Sequence, residues 1–385
     1  MNLSRADNSS FANWWWTIDR TVLAGVMALV TIGLVLAVAA SPAATGGGVI
    51  SGNFSYALRQ ATFAATAVGI LIGASLLDPR QMRVLAALAF ALALLGALLA
   101  VFVGEDVNGA RRWLDFGSFK LQPSEFLKPS FAVLAAALLA DKIKRGSRGE
   151  FPILLVLLAP AVAVLLAQPD VGQAVLLTLL GVSVLFFAGL SYIWIVALGA
   201  GGAGLAVLAY LLHPHVRQRI EEFLDPNVQG YQTGLALQAF NAGGVMGVGP
   251  GAGTIKYRLP DAHTDFVFAV AGEEFGFVLC VLIAFLFGLI TVRVLLRAAR
   301  ARDPFVQLAG AGLALVIGLQ AFINMGVNLS ILPAKGMTLP FISYGGSSLF
   351  AVALTLGLAL GITRQRPQLP MEIHACEFRG AEALT

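Results

Sequence analysis

An all-α, polytopic integral membrane protein is the fold class this sequence predicts, and three observations carry that expectation. Of 385 residues, 58% are hydrophobic and only 12% are charged, against roughly 25% charged in a soluble domain. Apolar runs of about 20 residues, the length a bilayer core demands, recur along the chain. These runs do not alternate polar and apolar residues, as the ten-residue strands of a transmembrane barrel would. The net charge of +4 is modest, and nothing in it points to nucleic acid. Cys280 and Cys376 form no disulfide framework. Polar residues fill positions 1–13 and no small-residue cleavage site follows a short apolar region, so the first helix is expected to remain as an anchor.

Ten spans are predicted. They lie near Thr21–Ala40, Ala61–Leu77, Val84–Val103, Glu125–Ala140, Phe151–Ala167, Val171–Ala188, Ser191–Leu212, Phe266–Val292, Phe305–Leu332 and Ser347–Ile362. This divides the chain into an N-terminal segment (1–18), a ten-helix domain (19–366) and a polar tail (367–385) expected to be disordered. The longest connection, 213–264, joins the seventh and eighth spans. No internal repeat suggests inverted transporter halves. Trp14, Trp15 and Trp16 before the first span read as an interfacial aromatic anchor.

Basic residues set the orientation, since short inner loops collect Lys and Arg. With the N-terminus inside, the inner segments hold Arg5 and Arg20, Arg80 and Arg83, a cluster from Lys142 to Arg148, a second from Arg293 to Arg302, and Arg364, Arg366 and Arg379. Together these are more than half of the 25 basic residues. Both termini then face the cytoplasm. The loops with Arg111, Asp170, Asp265 and Lys335 face the other side.

Four outer stretches carry polar chemistry. In the first, Asn108-Gly-Ala-Arg-Arg-Trp-Leu-Asp115 leads to Gln122-Pro-Ser-Glu125 and Lys128. Positive charge in an outer loop runs against the topology rule. Arg111, Arg112 and Lys128 suit a pyrophosphate, since guanidinium pairs with phosphate bidentately; anchoring at lipid headgroups is the plainer reading. Ser124 and Glu125 suit a helix start, with Lys128 on the same face one turn in. In the second, Gln168-Pro-Asp170, the acid is expected to cap the next helix.

The third is 213–264, too long for a passive connection. The charged segment from Arg217 to Glu222 reads as an interfacial helix, and Leu235–Phe240 as amphipathic or re-entrant. The glycine run from Gly243 to Gly253 permits close approach of backbone to a ligand, but it matches no phosphate-loop or dinucleotide motif. Asp265 closes the stretch. It, or Thr264, suits the N-cap of the eighth span. It also suits a general base beside His263; the two roles are compatible, and a cap would keep the acid ionised. Glu273 and Glu274, two turns deeper, read as structural ion pairs with a basic residue of the first stretch. The fourth stretch, Asn324 to Ser348, holds Pro333, Lys335, Pro340 and Ser343. It predicts broken helix beside protein or a water-filled cavity.

These motifs together resemble the SEDS family (shape, elongation, division and sporulation). The matching pieces are Asn108-Gly-Ala-Arg-Arg-Trp-Leu, Gln122-Pro-Ser-Glu-Phe-Leu-Lys128, Gln168-Pro-Asp170, Leu259-Pro to Phe266, Gly272-Glu-Glu-Phe-Gly276, and Leu332 to Ser348. The resemblance covers residues 15–366. Lys335, Gly336 and Thr338 resemble the division branch of the family more than its elongation branch. Asp261 stands where the family more often has Glu, which keeps the charge.

The resemblance implies a peptidoglycan glycosyltransferase acting on lipid II at the outer face of the cytoplasmic membrane, with Asp265 as the essential acid. Arg111, Arg112, Lys128 and Lys335 would stabilise the leaving diphosphate. Gln122, Glu125, His263 and Ser343 complete the candidate substrate site. It further implies a class B penicillin-binding protein (an FtsI-like transpeptidase) as partner, with divisome activators of the FtsQ, FtsL, FtsB and FtsN type. A divalent cation, Mg2+ or Mn2+, could share the diphosphate, although no ligand cluster identifies one. Two rival readings stand beside it: a lipid II flippase using the same cavity, and a non-catalytic divisome scaffold that recruits the penicillin-binding protein.

Overall fold

Runs this long and this apolar satisfy their backbone groups internally only as helices, and helices fill the computed structural model. It describes residues 10–44, 55–107, 109–117, 119–145, 150–189, 192–212, 217, 221, 231–333 and 336–364. A short helix, α1 (Ser10–Thr17), leads into α2 (Arg20–Ala44), α3 (Ser55–Leu76) and α4 (Pro79–Val103). Three short antiparallel strands follow, β1 (Glu105–Val107), β2 (Ala110–Asp115) and β3 (Lys120–Leu121), in that order across the sheet. Next come α5 (Pro123–Lys144), α6 (Glu150–Ala167), α7 (Val171–Phe187) and α8 (Tyr192–Leu212). After α9 (Tyr231–Gly243) and a single 3-10 turn (Ile255–Tyr257), the chain ends in α10 (Val267–Ala299), α11 (Pro304–Asn328) and α12 (Gly346–Ile362).

A helix occupies each of the ten predicted intervals. Five of these, Arg20–Ser41, Tyr56–Leu76, Pro79–Val103, Val267–Ala299 and Pro304–Asn328, are long and apolar enough to cross a membrane by length and composition. The outer side of α4 presents Leu88, Leu92, Leu95, Leu99 and Phe102 to the surroundings. Such a stripe is ordinary where lipid, not water, is the solvent. At the centre, α5 is buried along most of its length, against α4 on one side and α11 on the other. Helix α12 packs on α3, and α10 packs on α2, α9 and α11.

The structure adds one element and corrects one expectation. The outer loop after α4 folds into a small sheet, with Arg111 and Arg112 on strand β2. Trp14 is no lipid anchor but a core residue, 3% exposed, whose indole N–H donates to Ser75 Oγ at 2.7 Å. Trp16 is exposed and stacks under Arg20, 4.5 Å from ring centre to guanidinium. Of the charged segment 217–222 only Arg217 and Glu221 are described, and they pair at 2.7 Å. The rest of 213–230, and the tail from 365, lie outside the described residues.

The element that positions the site is a break in α10. Gly276 has φ +75° and ψ −171°, so the helix is really two, meeting at a kink. Such a break inside an apolar bundle strands backbone groups that must be paired. The glycine-rich loop after α9 pairs them. Val248 N and Gly249 N donate to the carbonyls of Glu273 and Glu274 at 2.9 and 3.0 Å. Beyond the break, Phe277 N and Val278 N donate to the carbonyls of Gly244 and Val245 at 3.0 and 3.3 Å. Contact is close enough to require glycine: a Cβ on Gly247 would lie 2.2 Å from the Glu274 carbonyl oxygen, and one on Gly276 2.3 Å from that of Val245.

Candidate active site

The glycine loop thus approaches α10 rather than a ligand, and its amides also bind the two buried acids. Glu273 accepts hydrogen bonds from the backbone N–H of Thr254, Ile255 and Lys256 at 2.6, 2.7 and 3.1 Å. Glu274 accepts from Gly251 N at 3.1 Å and pairs with the ammonium of Lys256. That ammonium also donates to the Ala39 carbonyl of α2 at 2.8 Å. The partner is therefore Lys256 of the same loop, not a basic residue of the first stretch. Loop, kinked helix and α2 are locked together, and Asp265 follows directly.

Asp265 sits half-buried just ahead of α10, and it does not cap that helix. The capping acceptor is Asn328 Oδ1, which takes Ala269 N at 3.1 Å. Two amides of α11 then hold the backbone of Asp265: Asn324 Nδ2 and Asn328 Nδ2 donate to its carbonyl at 2.9 and 3.0 Å. Asn324 Nδ2 also donates to the Met337 carbonyl at 2.6 Å, tying in the strap that follows α11. Ser343 is part of the same fixture. Its Oγ accepts from Leu339 N at 2.7 Å and donates to the Thr264 carbonyl. Tyr344 N donates to the His263 carbonyl at 2.9 Å, and the His263 ring packs on Tyr56 and Tyr344 at 5.1 and 5.8 Å.

The carboxylate itself has a different environment. Among the described residues no donor reaches it. It rests against Gly336, where a Cβ would lie 3.1 Å from Oδ2. Burial, and then the charge of Asp261, raise its pKa to about 7; Arg112 pulls the other way, while Glu125 and Asp170 add to the rise. The expectation of a carboxylate kept ionised by a helix cap is overturned. What the structure provides instead is an acid poised near neutrality, the range in which a general base works best. Burial also lowers the pKa of His263, with Asp261 opposing, which leaves the ring neutral at pH 7.

The cations expected around the site separate into two kinds. On β2, successive side chains point to opposite faces. Arg111 points out, with Nε 3.9 Å from Asp106 Oδ2. Arg112 points in, donates to the Pro169 carbonyl at 2.8 Å and lies 3.8 Å from Asp170 Oδ2. Asp170 caps α7 through Gln173 N at 3.4 Å, as expected. Burial nevertheless raises its pKa, against the pull of Arg112. Lys128 is deeper still. It is fully buried, pairs with Glu125 at 2.7 Å across one helical turn and donates to Gln320 Oε1 at 2.8 Å. Glu125 also accepts from Gln173 Nε2 at 2.7 Å. Gln122 is buried at the N-cap of α5, with no side-chain cap bond. Lys335 lies outside the described residues.

One line of amides joins these groups. Gln320, Asn324 and Asn328 are four residues apart on α11 and share a face. The first meets Lys128 and the Thr338 carbonyl at 2.8 and 3.0 Å, and the other two hold Asp265. Sequence reading missed this role. The spacing of three amides in an apolar helix was the available signal. The buried Oγ of Ser124 and Oε1 of Gln173, beside Glu125 in chain and contact, have no hydrogen-bond partner among the described residues. They add unused polar capacity beside Glu125.

A kinked helix braced by a glycine loop, with an acid at its mouth and fixed cations inward, defines a polytopic membrane protein with a polar site between its helices. The model of the FtsW/RodA/SpoVE family, described as cell cycle proteins, matches residues 19–368, and the chain belongs to that family. A relative from Caulobacter vibrioides, named a probable peptidoglycan glycosyltransferase FtsW, is 43% identical over 371 residues, 94% of each chain. One from Aromatoleum aromaticum with the same name is 37% identical, covering 91% of this chain and 89% of its own. Among solved structures, a component of a peptidoglycan synthase complex that coordinates polymerization and crosslinking superposes with a TM-score of 0.77 at 30% identity. It covers 92% of this chain and 100% of its own. The rod shape determining protein RodA of Thermus thermophilus superposes with a TM-score of 0.68 at 28% identity, covering 92% of this chain and 99% of its own.

Proposed function

We propose that this chain is a peptidoglycan glycosyltransferase of cell division, polymerising lipid II into glycan strands at the outer face of the cytoplasmic membrane. The observation that carries the reading is Asp265. It is held by its backbone, free of donors among the described residues, and tuned to about pH 7. The family and the names of the relatives support the reaction class.

In this mechanism the Asp265 carboxylate accepts the proton of the acceptor sugar 4-hydroxyl. The freed oxygen pair forms the new bond to the anomeric carbon of a lipid-linked donor. The bond from that carbon to the diphosphate breaks, and undecaprenyl diphosphate leaves with inversion. Arg112, the inward cation of β2, stabilises the departing charge; Lys335 is its proposed companion. Fixed donors of this kind are worth a few kcal/mol each at developing charge, and a general base contributes roughly 10²–10⁴-fold. Lys128 and Glu125 neutralise each other and shape the floor. Among the described residues no cluster of three or more His, Cys, Asp or Glu could hold a metal. A divalent cation, Mg2+ or Mn2+, would be held chiefly by the diphosphate itself and would share its charge.

Both termini lie in the cytoplasm in this reading, and the protein works at the division septum. Its partner is a class B penicillin-binding protein, which the likeness to a component of a polymerising and crosslinking complex supports. Activators of the FtsQ, FtsL, FtsB and FtsN type complete the proposal. The test is polymerisation of labelled lipid II by the co-purified pair. Asp265→Asn should abolish polymer without lowering the melting temperature or weakening partner binding. Polymer at the wild-type yield would remove Asp265 from the mechanism and return the flippase and scaffold readings.

A further inference from the structure

The other end of the bundle holds a second polar recess that the reaction does not use. Where α10 ends, α11 begins and α12 ends, a cavity of about 400 Å³ is lined by Arg293, Arg297, Arg300 and Arg364, with Leu296 and Ile362 beside them. From the break at Gly276, the second half of α10 rises about 1.5 Å per residue, so this recess lies a membrane thickness from Asp265. Arg20, stacked on Trp15 and Trp16 at 5.2 and 4.5 Å, lies at the N-terminus of α2. Such aromatic residues gather at the lipid–water boundary.

The charges around the recess do not balance. Asp19 is the carboxylate that faces it. One of its oxygens takes the N–H of Thr21 and Val22 at 2.9 and 3.3 Å, and the other lies 2.9 and 2.5 Å from Nε of Arg293 and Arg297. Arg364 is aimed by bonds to Thr17 Oγ1 and the Ser75 carbonyl at 3.0 and 3.3 Å. Asp303, the next acid along the chain, is paired with Lys144 at 3.0 Å. No described carboxylate pairs with Arg300. Asp19 thus serves Arg293 and Arg297, and Arg300 adds a charge that no described carboxylate matches. Capping the α12 C-terminus engages Arg297, at 3.5 Å from the Thr363 carbonyl, and leaves the excess in place.

We propose that this recess binds the phosphate headgroup of an anionic phospholipid. Guanidinium forks match phosphate oxygens bidentately, and basic pockets between helix ends suit such headgroups. Leu296 and Ile362 supply an apolar rim for the glycerol and the first methylenes. That rim, at the level where the helices end, selects a lipid over free phosphate.

The test uses the full-length protein in nanodiscs of phosphatidylcholine with and without phosphatidylglycerol, with retained lipid counted by native mass spectrometry. Wild type should retain phosphatidylglycerol in preference to phosphatidylcholine. Arg300→Gln, which leaves Asp19 paired, should lower retention about fivefold, and Arg300→Lys should restore most of it. Equal retention by wild type and Arg300→Gln would overturn the proposal. So would displacement of the lipid by inorganic phosphate at equal concentration, or retention seen only after truncation beyond Arg366, which would assign the recess to the acidic tail. A photoreactive phosphatidylglycerol on unsubstituted protein gives a test independent of folding. Label must fall on peptides containing 293–301 or 362–364, and label elsewhere alone would end the idea.

Discussion

Glu274 and Asp265 belong to one short stretch of chain, yet their surroundings are opposite. Around Glu273 and Glu274, three backbone amides hold one carboxylate, and an amide and an ammonium hold the other. At Asp265 the bonds from Asn324 and Asn328 fall on the backbone carbonyl, and the carboxylate is left with a near-neutral pKa. A buried acid with saturated oxygens is a structural anion. An acid fixed by its main chain, with its oxygens open, can trade a proton without the fold moving. The contrast separates architecture from chemistry within a single loop.

The sharpest way to break that contrast is to remove Lys256. Lys256→Met should cost roughly 3–5 kcal/mol, because Glu274 is left buried and unpaired; thermal unfolding in detergent reads it. Asp265→Asn should cost nothing by the same measure. At pH 8 it should raise the melting temperature. The pKa of about 7 means the folded chain holds a proton that the unfolded chain releases above about 4. The stability from that proton is complete below about 4 and is lost as pH rises through about 7. The advantage of Asn is thus full at pH 8 and shrinks as the pH falls toward 4. An Asp265→Asn melting curve that matches wild type at every pH would show the acid is not so tuned.

Next in size is the inward arginine. Arg112→Gln should lower polymerisation roughly 10²-fold, the scale of one lost donor at developing charge, with partner binding unchanged. Smaller effects follow at the acid's supports. Asn324→Leu should reduce the rate about tenfold by loosening the carbonyl that sets Asp265, on the order of one charge-free hydrogen bond. Asp261→Asn removes the like charge beside Asp265. The rate should rise with pH through about 7 in wild type, and this inflection should move to lower pH in the variant. Smallest of all, Arg111→Ala on the outer face of β2 should change stability by less than about 1 kcal/mol, as exposed pairs do. An Arg111 effect on polymerisation equal to that of Arg112 would collapse the distinction between the two faces.

The helices were legible because run length alone specifies them, and Glu125 with Lys128 was legible because one helical turn joins them. The small sheet was not, since strands of three, six and two residues are too short for periodicity to speak. The kink was hidden because Gly276 is a single glycine within a helix that continues on both sides of it, which no local pattern marks as a break. Asp265 could be singled out as an acid at a helix mouth. That Asn328 takes the capping place instead is a contact between residues 59 positions apart, which no local pattern encodes. The glycines looked like a ligand cradle for the same reason: a sequence shows that backbone can come close to something, not to what.

The patch over the kink also limits how the enzyme can breathe. Residues 244–249 supply partners to main-chain groups on both sides of Gly276. Swinging that loop away would leave at least four polar groups bare in a medium that offers no water. The segment from Gly336 to Tyr344 is tied as well, by Asn324 to the Met337 carbonyl, Gln320 to Thr338, Gln60 to the Ser343 carbonyl, Ser343 to Thr264 and Tyr344 to His263, so the acid is fixed from both sides.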